Sequence, residues 1–286
     1  MRFGLIANLK RVGANDAIES FISWAQGQKH ELILCDDLKS IVPDYPLFTT
    51  RQELAVDVDI LVSMGGDGTL LAAARSVGKE STLLLGVNLG SLGFLTQQTP
   101  QQLVPALEAI VAGNYRIEER MLLRAEVEGS TGLPLPCALN DVVVDNGPIS
   151  RVVDINLRVN GEDVVTYTAD GLIVATPTGS TAYSLAVGGP IVTPGMDAII
   201  AAPIAAFSLT TRPMIFSGDD VLEVKIKSER RPAILTLDGQ VATELEDSQV
   251  VRITRADFRA RFVVFPENSY YKLLRSKLHW GVPPSF

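Results

Sequence analysis

A chain of 286 residues, 47% hydrophobic and 20% charged, is long enough for two globular domains and can bury a core without covalent staples. Its formal charge of −8 comes with no basic block or basic-aromatic stripe, which argues against a nucleic-acid surface; an anionic ligand would need local help from backbone N–H groups, a helix N-terminus or a cation. Cys35, Cys137, His30 and His279 are each isolated, so neither a zinc site, a redox pair nor a histidine triad is indicated, and the cysteines read as buried free thiols.

The first elements alternate. "RFGLIAN" reads as a short buried strand, not a secretory signal. "NDAIESFISWAQGQ" spaces Ile18, Phe21, Ile22 and Ala25 for a helix, with Asn15 as its N-cap. "ELILC" is a second strand, and residues 36 to 56, with Pro43 and Pro46, read as irregular. "DILVSM" is a third strand that runs directly into Gly65-Gly66-Asp67-Gly68-Thr69, and "TLLAAARSV" is a helix of strong helix formers. "TLLLGVN" is a fourth strand. "TPQQLVPALEAIVAG" is a helix with Thr99 as N-cap, Pro100 at the first position and Gly113 at its end. This βαβα pattern predicts a parallel sheet covered by helices, a Rossmann-like α/β domain over residues 1–115.

Beyond about residue 115 the pattern turns to strands. "MLLRAEVE", "ALNDVVVD", "VDINLRVNGEDVVTYT" with an Asn160-Gly161 hairpin turn, and "GLIVATP" come first. "SLT", "VLEVKIKS", "AILTLDG", "VRITRA" and "RFVVF" follow, with one short helical interruption near "TAYSLAVGG". A mostly β, sandwich-like domain over 116–265 is expected. The tail 266–286 reads as a short helix with an aromatic end, expected to pack back on the N-terminal domain. No apolar run reaches membrane-spanning length, so a cytoplasmic protein is expected.

Four stretches carry chemistry. GGDGT sits at the end of a strand and the start of a helix, where α/β sheets bind ligands. Its glycines could form a tight bend, or could let backbone N–H groups reach phosphate oxygens. It matches neither G-x-x-x-x-G-K-[ST] nor a G-x-G-x-x-G after the first strand. A carboxylate among phosphates repels them unless it takes a proton from an attacking hydroxyl or holds Mg²⁺. The polar turn Thr176 to Ser184, followed by Gly188-Gly189-Pro190, supplies hydroxyls, small residues and Tyr183, which suit a ribose and a base; a plain hairpin turn leaves the Thr/Ser/Tyr run unexplained. Asn140 and Asp141 interrupt an apolar strand and need partners, either internal groups or ligand hydroxyls. "LDGQ", 237 to 240, reads as a turn.

Together these stretches resemble the NAD kinases of bacterial type over nearly the whole length. GGDGT is shared with diacylglycerol and sphingosine kinases and more distantly with phosphofructokinases. "DGLIVATPTGSTAYSLAVGGPI" is specific to NAD kinases, and "LNDVVV" and "DGQ" follow in the family's order. The resemblance implies transfer of the γ-phosphoryl of ATP to the 2′-hydroxyl of the adenosine ribose of NAD⁺. It places Asp67 as proton acceptor and implies Mg²⁺ or another divalent cation carried by ATP, with no metal site of the protein's own. It assigns NAD contacts to Gly68, Asn140, Asp141, Asp170, Thr181, Ala182, Tyr183, Ser184 and Gln240, with Leu185 and Ala186 beside them. Asp141 stands where many members have Glu. Thr168, where many have Lys or Arg, and Arg151, at a variable and often basic position, are carried as further contacts. The implied partners are NAD⁺ and ATP, with neither nucleic acid nor membrane, in a homodimer or homotetramer. Two rival readings remain. A lipid or sphingoid-base kinase would share the cradle but would want an acyl groove and leaves TPTGSTAY unexplained. A non-catalytic nucleotide-binding regulator would have no need of Asp67.

Overall fold

A computed structural model describes residues 1–130, 133, 136–147, 152–227 and 232–280. The chain runs β1 (Arg2–Ala7), α1 (Ala14–Gly27), β2 (Glu31–Cys35), β3 (Phe48–Thr49), α2 (Arg51–Asp57), β4 (Ile60–Gly65), α3 (Asp67–Val77), β5 (Leu83–Asn88), α4 (Leu103–Val111) and β6 (Arg116–Val127). It continues through β7 (Cys137–Ala138), β8 (Asp141–Asp145), β9 (Val153–Val159), β10 (Glu162–Ala169), β11 (Gly171–Ala175), α5 (Tyr183–Ala186), β12 (Ala198–Ile204) and β13 (Met214–Ser217). Then come β14 (Leu222–Lys227), β15 (Ala233–Leu237), β16 (Val241–Leu245), β17 (Val250–Val264) and α6 (Tyr270–Leu278). Two compact units result: Met1–Glu118 with the chain from Arg261 onward, and Glu119–Ala260.

The first unit is α/β. Its parallel strands lie in the order β5-β4-β1-β2-β3, and Phe262 of β17 pairs in parallel with Leu84 of β5. Phe3 and Leu5 of β1 share a core with α1 and α4 through Ile18, Phe21, Leu103 and Leu107. Gly4 faces the other way: a Cβ there would lie 3.0 Å from Leu54 of α2, so this side of β1 is filled by the opposite helical layer. Because β2 and β4 flank β1 on opposite sides, the strand order reverses at β1 and β4, and the loops after these two strands border the crevice where open α/β sheets bind ligands.

Two features differ from the sequence expectation. The N-cap of α1 is Gly13, at φ 79, and Asn15 lies inside the first turn; the left-handed glycine turns the chain into the helix without a side-chain cap. Residues 36–56 are not irregular throughout but contain a 3-10 turn at Asp36–Ser40, β3 and most of α2. Helix α2 is nucleated by a capping box. Thr50 Oγ1 accepts from the Glu53 N–H at 3.3 Å, and Glu53 Oε2 accepts from the Thr50 N–H at 3.3 Å. Before α4, Thr99 and Gln102 form a second capping box around the 3-10 turn Pro100–Gln102, and Gly113, at φ +74, follows the helix.

The second unit is a β-sandwich. One sheet, β13-β12-β11-β8-β15-β16, is antiparallel throughout; the other holds β10-β9-β14-β17 with β6 and β7. Val142, Val144, Leu172, Val174 and Ile199 share the inner core with Ile155, Leu157, Val224 and Ile253 of the facing sheet. The alternate residues Val143, Ile173, Ala175 and Ile200 close a smaller core with Val192 on the outer face. The middle strands of the first sheet are therefore buried on both sides, which is why they read as unbroken apolar runs. This hid β12, whose alanines and Pro203 lack strand character; Pro203 sits beyond the last β13 partner, where no ladder donor is required. "SLT" at 208–210 is not a strand, and "VRITRA" and "RFVVF" belong to one long strand, β17. The Asn160-Gly161 hairpin joins β9 and β10 with both turn residues at positive φ. Cys35 and Cys137 are buried free thiols. No helix among the described residues is long and apolar enough to cross a membrane.

The capping box supplies a test of local stability. Thr50→Ala removes the hydroxyl that caps α2 and should lower the thermal midpoint by about 2–4 °C in differential scanning. Thr49→Ala removes only a bond to Glu53 Oε2 and should cost less.

Candidate active site

In the first unit β4 ends at Gly65 and α3 begins at Asp67, with only Gly66 between them. Gly65 has no room for a side chain, since a Cβ would overlap Thr69. Gly66 is different: at φ −133 and ψ −172 it is extended, a conformation open to any residue, and a Cβ would meet nothing nearer than Arg11 Nη2 at 3.8 Å. Gly68, in the first turn of α3, is exposed.

The Asp67 carboxylate is gripped by the loop that follows β5. Its Oδ1 accepts from the Leu95 N–H at 3.2 Å, the Thr96 N–H at 3.0 Å and the Thr96 hydroxyl at 2.9 Å. Its Oδ2 accepts from the Phe94 N–H at 2.8 Å. Asn88, at the end of β5, donates from Nδ2 to Thr96 Oγ1 at 2.7 Å and accepts the Gly90 N–H at 2.7 Å. Asn88 and Thr96 are buried, so the chain Asn88 to Thr96 to Asp67 is a fixed relay of donors. A Cβ at Gly93 would overlap Asp67 Oδ1, so this glycine is what allows the loop to approach the carboxylate.

In the second unit another carboxylate gathers backbone donors. Asp238, at φ 50 on the turn between β15 and β16, accepts from the N–H groups of Leu139 at 3.2 Å, Asn140 at 2.7 Å and Asp141 at 3.3 Å. The Asn140 carbonyl accepts the Thr176 N–H at 2.8 Å, and the Thr176 hydroxyl donates to the Leu139 carbonyl at 2.6 Å. Gly179 N–H donates back to Thr176 Oγ1 at 3.1 Å, and a Cβ at Gly179 would overlap the Asn140 carbonyl. The polar turn from Thr176 is thus moulded onto the Asn-Asp pair. Buried Arg120 adds a bond from Nη1 to Thr178 Oγ1 at 3.3 Å.

A cavity of about 270 Å³ opens beside this arrangement, lined by Asn140, Asp141, Ala182, Tyr183, Asp238 and Gly239 among others. Burial pushes the Asp141 carboxyl up to about 7, and the neighbouring Asp238 carboxylate adds to the rise. Of the residues singled out from sequence, the cavity brings together Asn140, Asp141, Ala182 and Tyr183. Thr181 donates to the Thr178 carbonyl at 3.3 Å, Ser184 is the buried residue of α5, Leu185 and Ala186 continue that helix, and Gln240 is exposed on the turn beside Gly239. Asp170 lies between β10 and β11, its carboxylate without a hydrogen bond or ion pair among the described residues. Thr168, two residues earlier, is exposed and donates its hydroxyl to Asp154 at 2.8 Å. Arg151 lies outside the described residues. Asp67 and Gly68 belong to the first unit.

Residues 12–115 match the family of the ATP-NAD kinase N-terminal domain, and residues 139–265 that of the ATP-NAD kinase C-terminal domain. The chain belongs to the NAD kinase family. An NAD kinase of Moorella thermoacetica is 39% identical over 280 residues, covering 98% of this chain and 90% of its own. One of Geotalea daltonii is 43% identical over 238 residues, covering 81% and 82%. The kinase also resembles the crystal structure of an NAD kinase from Archaeoglobus fulgidus in complex with ATP, with a TM-score of 0.80, 26% identity and coverage of 98% and 99%. Yeast NADH kinase complexed with NADH shares the fold at a TM-score of 0.91 and 24% identity, covering 100% of this chain and 89% of that one.

One arrangement in each unit is not legible in the sequence. The loop "NLGSLGFLT", 88 to 96, carries the donors to Asp67; its paired glycines and the polar Asn88 and Thr96 after an apolar strand were the available signal. Asp238 reads in the sequence as part of an ordinary turn, whereas its carboxylate shapes the Asn140-Asp141 strand start from 97 to 99 residues away. His30, by contrast, packs its ring against Phe3 and Trp24.

The raised Asp141 carboxyl makes stability pH-dependent in the kinase. An acid whose folded pKa is raised stabilises fully below its unfolded value, near 4, and that stabilisation is lost as pH rises through about 7. Asp141→Asn cannot ionise. The variant's thermal midpoint relative to the parent should therefore rise from pH 5 to about pH 7 and then level off, at a difference equivalent to roughly 2–4 kcal/mol. Parallel midpoint curves for the two proteins would contradict the raised value.

Proposed function

We propose that the chain transfers the γ-phosphoryl group of ATP to the 2′-hydroxyl of the adenosine ribose of NAD⁺, with Asp67 accepting the hydroxyl proton. The observation that carries this is the unequal loading of the Asp67 carboxylate. Oδ1 takes three donors and Oδ2 takes one. A carboxylate oxygen offers about two lone-pair sites, so Oδ2 keeps an acceptor position for an incoming hydroxyl. The residues that grip Oδ1 hold the other oxygen in place without consuming it. The extended glycine before α3 leaves backbone donors open to phosphate, and the relative of known structure from Archaeoglobus fulgidus was crystallised with ATP.

For the acceptor, the reading assigns NAD contacts to Asn140, Asp141, Ala182 and Tyr183 in the cavity, with Gly68, Asp170, Thr181, Ser184, Leu185, Ala186 and Gln240 as further contacts. A carboxyl balanced near pH 7 can donate to a ribose oxygen or accept from a ribose hydroxyl, which suits Asp141 to that task. Thr168 contributes less than a cation would, because its hydroxyl is already given to Asp154. A divalent cation such as Mg²⁺ enters with ATP and neutralises phosphate charge. In this reading phosphate oxygens are its main ligands. A cytoplasmic setting fits both substrates.

A homodimer or homotetramer is part of the proposal. Phe207 at 81% exposure, Leu209 at 93% and Ile215 at 53% crowd the connection from β12 to the edge strand β13, an apolar surface that favours burial against a second copy.

An assay coupled to an NADP-specific dehydrogenase tests the chemistry. The parent protein should form NADP⁺ only when ATP and NAD⁺ are both present. Asp67→Asn should lose roughly 10²- to 10⁴-fold in kcat. It should also unfold at a lower temperature, because one end of the amide must face the Phe94 or Thr96 donors with its own N–H groups. Near-parental turnover in this variant would remove Asp67 from its role. For the assembly, sedimentation velocity should show the parent as an oligomer and the Phe207→Ser, Leu209→Asp double variant as a smaller species; identical profiles would place the interface elsewhere.

A further inference from the structure

The turn after β1 carries a cation that the catalytic reading does not use. Asn8 Oδ1 accepts the Lys10 N–H at 3.1 Å, the Asn8 carbonyl accepts the Arg11 N–H at 3.1 Å, and Asn8 N–H donates to the Met64 carbonyl of β4 at 2.8 Å. This turn fastens the start of the β1 loop to β4 and folds the Arg11 side chain back over the glycine turn. A Cβ built at Gly66 would lie 3.8 Å from Arg11 Nη2, and one built at Gly90 would lie 3.6 Å from Arg11 Nη1. The guanidinium therefore spans the turns that follow β4 and β5, beside the crevice at the strand-order reversal. It makes no ion pair or side-chain hydrogen bond among the described residues.

The two glycines beneath it are informative because nothing internal requires them. Neither has a φ in the left-handed region, and neither Cβ position is closer than 3.6 Å to another atom. Glycine at 65 or 93 is explained by internal packing; glycine at 66 and 90 is not. What these two positions share is open space next to one unpaired guanidinium. An arginine presents a planar fork that matches phosphate oxygens, and its charge would offset the repulsion between Asp67 and an incoming polyphosphate. The chain as a whole carries a charge of −8, so that offset has to be local.

We infer that Arg11 grips the polyphosphate of the donor nucleotide in the space left open by Gly66 and Gly90. The inference rests on the proposed phosphotransfer, and it adds a binding residue from a different loop. Its test is calorimetric titration of the full-length protein with ATP and, separately, with NAD⁺. Arg11→Gln should weaken ATP roughly 10- to 100-fold, Arg11→Lys should lose less, and NAD⁺ affinity should stay within about twofold of the parent. Gly90→Val, at a position whose φ lies outside the left-handed region and where a Cβ meets no atom closer than 3.6 Å, should weaken ATP alone by filling the space below the guanidinium. Arg11 is exposed, so thermal midpoints should match the parent and exclude misfolding as the cause. A loss of ATP affinity by Arg11→Gln of about threefold or more, with NAD⁺ spared, supports the inference; a smaller change, or an equal loss for NAD⁺, overturns it. A parent protein that binds ATP but forms no NADP⁺ would overturn the phosphotransfer reading while the comparison of ATP affinities still decides the role of Arg11.

Discussion

The carboxylate of Asp67 ties the segment after β4 to the segment after β5. Three backbone N–H groups and the Thr96 hydroxyl point at it, at the C-terminal end of the central strand β4. The loop 93–96 has its shape because that negative group is there, and the negative group has its orientation because the loop surrounds it. Asn88 extends the dependence into β5 through Thr96. A residue expected to move a proton is thereby also a structural anchor, so its chemistry and the geometry of its surroundings cannot be varied independently. Preorganisation of this kind needs little rearrangement when substrate arrives.

The second unit repeats the device. Asp238 sits in a left-handed turn and collects three successive backbone N–H groups at the start of β8. The backbone of Asn140 is fixed by this bonding, and the Thr176 turn then closes on it from the other side. One electrostatic consequence follows directly: a buried aspartate placed beside an anchoring aspartate holds its proton to a higher pH, as Asp141 does. Burial is the larger cause of this unusual acid next to the cavity, and the anchor adds to it.

Legibility in the sequence followed the range of the interactions. Strand and helix periods, the Asn160-Gly161 hairpin and the caps at Thr99 and Gly113 are local, and all could be read from a few neighbouring residues. The capping box Thr50-Glu53 was equally local but lay in a stretch marked by Pro43 and Pro46, which drew the reading toward loop. β12 was missed because a strand buried on both faces shows no alternation and its alanines have weak strand propensity. For the site, GGDGT and the Thr176–Ser184 turn stood out because polar and glycine residues cluster there without a local purpose. Asp238, Thr96 and Arg11 did not stand out. Their partners are brought in by the topology of the sheets, from the neighbouring strand or from far along the chain, and no nearby residue reports them.

The pairing of Phe262 with Leu84 has a consequence for how the chain is made. The first unit takes Val263 and Phe265 into its core and bonds Arg261 to the Ser81 carbonyl, yet these residues are separated from Glu118 by the entire second unit. A ribosome that has released the first 118 residues has therefore released an α/β layer in which Gln98 pairs with Val87 but the Leu84 end of that flank of β5 is still open, and at ordinary elongation rates more than a hundred further residues take several seconds to emerge. During that interval the nascent chain carries a short open stretch of strand edge that β17 later covers. The closing strand thus reaches the first unit only after the whole second unit has been made.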